Sequence, residues 1–143
     1  MPGLFLEDLS VGQSALLVRA VTEADIVAFA AVTGDTNPVH LDADYAATTS
    51  FGERIAHGML SAGHISAVLG TVLPGPGAVY LSQTLAFKRP VKIGAEVTAK
   101  VTITAIDQAK GRVTLATVCQ VQGKTVIDGE AVVVVPRKAA QRV

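Results

Sequence analysis

A chain of 143 residues suits one domain spanning 1–143, and a hydrophobic fraction of 50% with 17% charged residues supports a substantial core. Twelve basic residues balance twelve acidic ones, which excludes a global field drawing the chain to nucleic acid or to an anionic membrane. The lone cysteine, Cys119, excludes an intramolecular disulfide, and the absence of Trp leaves the interior to Val, Ala, Leu and Ile.

The opening "MPGLFLEDLSVGQ" lacks the basic start and apolar run of a signal peptide. No apolar run approaches the ~20 residues that span a bilayer, so the expectation is a cytoplasmic protein without a membrane partner. The turn residues Val11-Gly12-Gln13 lead into a predicted strand over 14–22, "SALLVRAVT". Thr22 then caps a predicted helix through "EADIVAFAAVTG", with Glu23 and Asp25 in its first turn. Ile26, Phe29, Ala30 and Val32 are expected to form its apolar stripe. Gly34 ends this helix, and Asn37-Pro38 forbids its continuation. "DADYAATT" predicts a short helix, and Phe51-Gly52 begins a loop. Residues 57–73, "HGMLSAGHISAVLGTVL", are apolar nearly all round and rich in small residues. They predict a buried helix that neighbouring backbone can approach closely, stopped by Pro74-Gly75-Pro76-Gly77.

The second half changes period. "AVYLSQTLAFKRPV" reads as one strand ending near Pro90. Val97, Ala99, Val101, Ile103 and Ala105 alternate with Thr98, Lys100, Thr102 and Thr104, a strand signal. After the turn "QAKGR", Val113, Leu115, Thr117, Cys119 and Val121 resume the alternation. "QGK" turns the chain into a last strand, "TVIDGEAVVVVP", and the tail "RKAAQRV" is expected to be loose. The layout is α+β: helices first, then long antiparallel strands with one hydrophobic helix to wrap around.

Chemistry-bearing residues gather in "TGDTNPVHLDADYA". Asp35 and His40 stand five apart with Pro38 between them, so a turn can point both side chains into one space. A carboxylate and an imidazole sharing one water suit proton transfer at neutral pH. The competing reading makes Asp35 and Asn37 turn formers alone. His40, Asp42, Asp44 and His57 offer metal-ligand types, but HExxH and CxxC spacings are missing, and no metal is expected. Gly58 falls at the start of the hydrophobic helix, where unpaired N–H groups can stabilise a developing oxyanion. A glycine needed for helix packing reads the same way. His57 and His64 are assigned structural roles, with none in proton transfer. Ser66, two turns on, is either a supporting hydrogen-bonder or a small packing residue. Lys88, Arg89 and Lys92 could hold a phosphate or simply be solvated. Cys119 sits in an alternating strand with no sign of activation, and no GxSxG or phosphate-binding glycine motif is present.

Taken together, "FAAVTGDTNPVHLDADYAATTSFGERIAHGML" resembles the signature of the MaoC-like, (R)-specific enoyl-CoA hydratases, or hydratase 2 family. The likeness is dense over residues 29–60 and continues through "VLPGPGAVYLSQTLAFKRPV" and "GEAVVVVP". It implies a hot-dog fold, an antiparallel sheet wrapped around a central helix opening at Gly58, assembled as a homodimer. It implies reversible syn addition of water to a trans-2-enoyl thioester, giving the (R)-3-hydroxyacyl thioester, as in hydratases that feed polyhydroxyalkanoate synthesis from β-oxidation. The family's catalytic Asp and His fall on Asp35 and His40, its oxyanion N–H on Gly58, and its supporting Ser on Ser66. Asn37 and Pro38 fill the turn positions, and Leu69 and Val133 match positions lining the acyl pocket. With Asn37, Leu69 and Val133, Lys88 and Arg89 complete the expected substrate-binding set. An acyl-CoA is then the substrate, and no cofactor is expected. "GERI" stands where the resemblance implies "ERPI", a departure in a loop. The rivals are an (R)-3-hydroxyacyl-carrier-protein dehydratase using the same dyad, a non-catalytic thioester-binding module, and a thioesterase of that fold. Intact Asp35 and His40 count against the module, and the D-x-N-P-x-H pattern counts against the thioesterase.

Overall fold

Alternating side chains build the larger part of the molecule, a computed structural model that describes residues 3–138. A 3-10 turn over Leu6–Asp8 leads to strand β1 (Ser14–Ala20), helix α1 (Glu23–Thr33), the short helices α2 (Pro38–Leu41) and α3 (Ala43–Ala47), and the long helix α4 (Gly58–Thr71). Then come β2 (Val79–Gln83), β3 (Ala86–Phe87), β4 (Glu96–Asp107), β5 (Arg112–Val121) and β6 (Lys124–Val134). The strands form one antiparallel sheet in the order β1-β4-β5-β6-β2, with β3 also paired to β6. Val97, Ala99, Val101 and Ile103 of β4 are buried, as are Val113, Leu115 and Cys119 of β5 and Ala131 and Val133 of β6. Against this face lie Ile65, Val68 and Leu69 of α4, which touches β1, β4, β5 and β6. The sheet therefore wraps one hydrophobic helix, as expected for the hot-dog, α+β arrangement. One apolar cluster runs from Leu6 to Val135.

Local chemistry sets the helix ends. The Thr22 hydroxyl accepts from the Asp25 N–H at 3.1 Å while the Asp25 carboxylate accepts from the Thr22 N–H at 3.0 Å, a reciprocal cap for α1. Gly34 closes that helix in the left-handed region at φ +78°, where a side chain would be strained. Asn37 caps α2 through its side chain, and Pro38 occupies the first turn, where its missing N–H costs no hydrogen bond.

The structure corrects four expectations. First, a short helix, α2, starts at Pro38 where a turn was expected; four residues are too few to show a helical period. Second, the α1 stripe is narrower than its spacing suggested: Ile26 and Ala30 are buried, whereas Val32 is 86% exposed. Third, the single strand expected before Pro90 is two. The chain breaks at Thr84, which packs so tightly over Gly129 that an added Cβ there would sit 1.8 Å from the Thr84 carbonyl oxygen. Fourth, α4 is buried on one face rather than all round. Met59, Gly63, Ser66 and Gly70 are exposed on the other, beside the β2 edge, where Val79, Tyr80 and Leu81 are exposed too.

The tail expected to be loose begins packed. The Lys138 N–H donates to Glu7 at 2.8 Å, its ammonium pairs with Asp8 at 3.1 Å, and the Arg137 guanidinium donates to the Gln108 carbonyl. From residue 139 onward the tail lies outside the described residues. Among those described, no helix is long and apolar enough to cross a membrane.

Candidate active site

Three segments converge at the start of α4. The first follows the left-handed Gly34. Here the Asp35 N–H donates to the Thr33 hydroxyl at 3.1 Å, and the Asn37 N–H donates to Asp35 Oδ1 at 3.3 Å. Asn37 in turn accepts from the Val39 N–H at 3.1 Å, which starts α2 and carries His40 into its last turn.

The second segment is the loop before α4. His40 is 8% exposed, and its Nδ1 lies 2.8 Å from the Ile55 carbonyl oxygen. A carbonyl only accepts, so Nδ1 carries hydrogen and Nε2 is left to exchange a proton. Arg54 braces the same turn: its Nε donates to the His40 carbonyl at 2.7 Å, and its guanidinium pairs with Glu23 at 2.8 Å. His57, 2% exposed, places Nε2 at 2.9 Å from the Asp35 carbonyl oxygen. Its ring stacks on His40 with centroids 3.9 Å apart and tilts against Phe29 at 4.7 Å.

Gly58 is the first residue of α4, and its cap residue His57 supplies no side-chain cap. Its N–H has no partner within the helix, so it is a donor ready for a substrate oxygen. The third segment brings Phe87 of β3, whose ring would lie 2.6 Å from a Cβ at Gly58. Asp35, His40, His57, Gly58, Met59 and Phe87 enclose a cavity of about 180 Å³. It has two neighbours. Past Phe87, a mouth of about 320 Å³ is lined by His40, Phe51, Ile55, Gly58, Lys88 and Arg89. Past Met59, an apolar groove of about 390 Å³ runs between α4 and β2 by Ala62, Ser66, Tyr80, Leu81 and Leu85.

The structure thus brings Asp35, His40 and Gly58 together and sets Lys88 and Arg89 at the mouth. Asn37 serves the turn itself. Ser66 lies in the groove and does not line the cavity holding Asp35. Leu69 and Val133 are closed inside the core. Asp42 caps α3, accepting from Asp44 and Tyr45 N–H groups at 3.0 and 3.1 Å, and stands apart from the cavity. Burial pushes the Cys119 thiol up to about 11, so it stays protonated and inert.

Sequence reasoning gave His57 a structural role without placing it at the site, and the structure sets it in the cavity wall. Its place beside Gly58 was a signal, since a helix N-cap must neighbour whatever the helix start faces. Asp35, His40 and His57 can each bring one ligand-type atom within 4.8 Å of the others. The two imidazoles are tilted by 30°, so their lone pairs run in near-parallel planes. A shared tetrahedral metal needs those lone pairs to converge. A carboxylate, an imidazole nitrogen and an unpaired N–H around one small cavity instead suit adding or removing water across a polarised double bond.

Comparison with known proteins supports the same chemistry. A family model described as a MaoC like domain matches residues 10–128. An (R)-specific enoyl-CoA hydratase of Rhodospirillum rubrum is 58% identical over 134 residues, 94% of this chain and 93% of that protein. The unliganded R-hydratase PhaJ1 of Pseudomonas aeruginosa superposes with a TM-score of 0.90 at 48% identity, covering 99% of this chain and 94% of its own. An (R)-hydratase of A. caviae involved in PHA biosynthesis gives 0.89 at 48% identity, covering 91% and 99%. A mitochondrial 3-hydroxyacyl-carrier-protein dehydratase of Solanum lycopersicum is more distant, 37% identical over 90% of this chain and 78% of its own length.

Proposed function

The chain belongs to the MaoC-like family, and from that premise we propose that it catalyses the reversible, (R)-specific hydration of trans-2-enoyl-CoA to (R)-3-hydroxyacyl-CoA. One observation carries the reading: Asp35, His40 and Gly58 face a single cavity at the start of α4. The thioester oxygen accepts from the Gly58 N–H, which stabilises the enolate-like charge that develops as C3 is attacked. Asp35 and His40 hold the water between them. Its hydroxyl adds to C3, and a proton reaches C2 from the same side, because the two groups bring their reactive atoms within 4.8 Å of each other. The two side chains divide the two proton transfers between them. Water, the dyad and one backbone donor suffice, so the reaction needs no cofactor.

The mouth at Lys88 and Arg89 suits the phosphate-bearing arm of CoA, and the apolar groove past Met59 suits the acyl chain. A homodimer is part of the proposal. The β2 edge offers unpaired backbone, and Val79, Tyr80, Leu81 and Met59 are exposed apolar side chains on it or beside it, a combination that single chains avoid leaving in water. A second copy on this edge would roof the groove that holds Ser66. Leu81→Lys should then shift the protein toward monomer in size-exclusion chromatography; an unchanged elution position contradicts this interface. The compartment proposed is the cytoplasm, where acyl-CoA is made, and polyhydroxyalkanoate precursors are the product class suggested by the A. caviae relative.

The reading is tested by loss of conjugated-enoyl absorbance with crotonyl-CoA and longer enoyl-CoAs, followed by chiral analysis of the alcohol. The (R) product is expected. Thiol release without hydration would sink the proposal. The carrier-protein reading is separated by comparing kcat/KM for the same acyl group on CoA and on carrier protein, with CoA expected to be preferred.

A further inference from the structure

Both proton-transferring residues of the proposed site lie on a short turn, and the buried side chain of His57 connects the Asp35 end of that turn to the start of α4. We propose that His57 is a positioning residue, fixing Asp35 through its main-chain carbonyl and bracing the His40 ring so that the dyad and the Gly58 N–H share one substrate. This rests on the hydratase reading above.

The contacts of Asp35 show why such a residue is needed. Asp35 is exposed and follows a left-handed glycine. Among the described residues its hydrogen bonds to Thr33 and Asn37 reach two positions along the chain, whereas the bond to His57 reaches across 22. The local bonds shape the turn around Asp35, and the long one ties that end to the start of α4, as the His40–Ile55 and Arg54–His40 bonds tie the other end to the loop before α4. His57 also stacks on His40, packs against Phe29 of α1, and is joined covalently to Gly58. One side chain thus sets the relative places of the carboxylate, the imidazole and the oxyanion donor.

Its own chemistry keeps it out of the proton transfers. The Asp35 carbonyl can only accept, so His57 carries hydrogen on Nε2. Its Nδ1 is buried with no hydrogen-bond partner among the described residues. A proton there would create a buried cation whose second N–H has no acceptor, stacked 3.9 Å from the ring that does exchange protons. His57 therefore serves as a donor to Asp35 and leaves proton exchange to His40.

Two substitutions separate the donor from the ring. His57→Phe keeps an aromatic ring on His40 and loses the N–H; His57→Gln keeps a terminal N–H and loses the ring. A loosened Asp35 turn should lower kcat for crotonyl-CoA by about 10- to 100-fold in His57→Phe with KM within about twofold, since misplacement by an ångström costs up to about 100-fold. His57→Gln should recover most of that loss. A folded His57→Phe with near-parental kcat, or equal losses in both variants, overturns the proposal. In the parent, long-range 1H–15N spectra should show His57 neutral with hydrogen on Nε2. A charged ring or the Nδ1–H tautomer at neutral pH overturns it even where His57→Phe fails to fold. A parent protein with no hydratase activity would instead overturn the functional reading, and the spectra would still decide the contact.

Discussion

The sheet of β4, β5 and β6 and the turn carrying Asp35 and His40 are held together in opposite ways. The sheet is stabilised by many interchangeable apolar contacts, with Val97, Val101, Val113, Leu115 and Val133 all closed from water. The turn depends on a few directed bonds to main-chain oxygens: His40 to Ile55, His57 to Asp35, and Arg54 to His40. Burial is non-directional and roughly proportional to area, so it tolerates small shifts. Proton transfer needs its groups within hydrogen-bond reach, so it does not. Stability and chemistry should therefore come apart on mutation.

The largest effect expected is at the turn. Asp35→Asn and His40→Gln should each lower kcat by about 100- to 10,000-fold, the range for a positioned acid or base, while thermal melting barely moves. Near-normal turnover in either would break the assignment of the dyad. The mirror experiment is Leu115→Ala in β5, which should cost about 2–5 kcal/mol in denaturant unfolding yet leave kcat of the folded fraction intact. A large change in kcat would show that the sheet acts on the chemistry after all.

Gly58→Ala probes the boundary between the two regions. Its Cβ would meet the Phe87 ring at 2.6 Å, a movable side chain, whereas a Cβ at Gly129 would meet Thr84 backbone. Gly58→Ala should therefore fold and lose activity by about tenfold as the ring shifts over the oxyanion donor. Adding Phe87→Ala should restore part of the loss; no recovery would place the damage elsewhere.

The smallest effect concerns His64, near the middle of α4 and outside the lining of the cavity. Burial, helped by the Arg19 charge and opposed by Asp25, holds its pKa below the usual 6.5. The unfolded chain takes up that proton first, so this contribution to stability is present above about pH 6.5 and is lost as pH falls toward the folded value. Thermal melting between pH 7.5 and 5.5 should fall less steeply in His64→Leu than in the parent, with little change in the pH dependence of kcat.

Much of the fold was readable because its causes are local. The alternation in β4, β5 and β6 follows from one face being buried, and the Thr22 cap and left-handed Gly34 follow from hydrogen-bond donors left over at helix ends. The break between β2 and β3 was not readable, since it answers to Gly129, far along the chain. Nor was the exposure of Val32, because periodicity reports that a helix has a face and not how much of it a neighbour covers.

The same division runs through the site. Residue type and short spacing made Asp35, Asn37, His40 and Gly58 candidates beside turn-forming and packing readings, and the family resemblance chose between them. Tertiary structure alone decided that His57 grips the Asp35 carbonyl, that Phe87 covers Gly58, and that Ser66 opens onto a groove beside the β2 edge. Those contacts depend on the path of the chain between the partners. Their geometry is set by how α1, α4 and the sheet pack, and no spacing of residues encodes that directly.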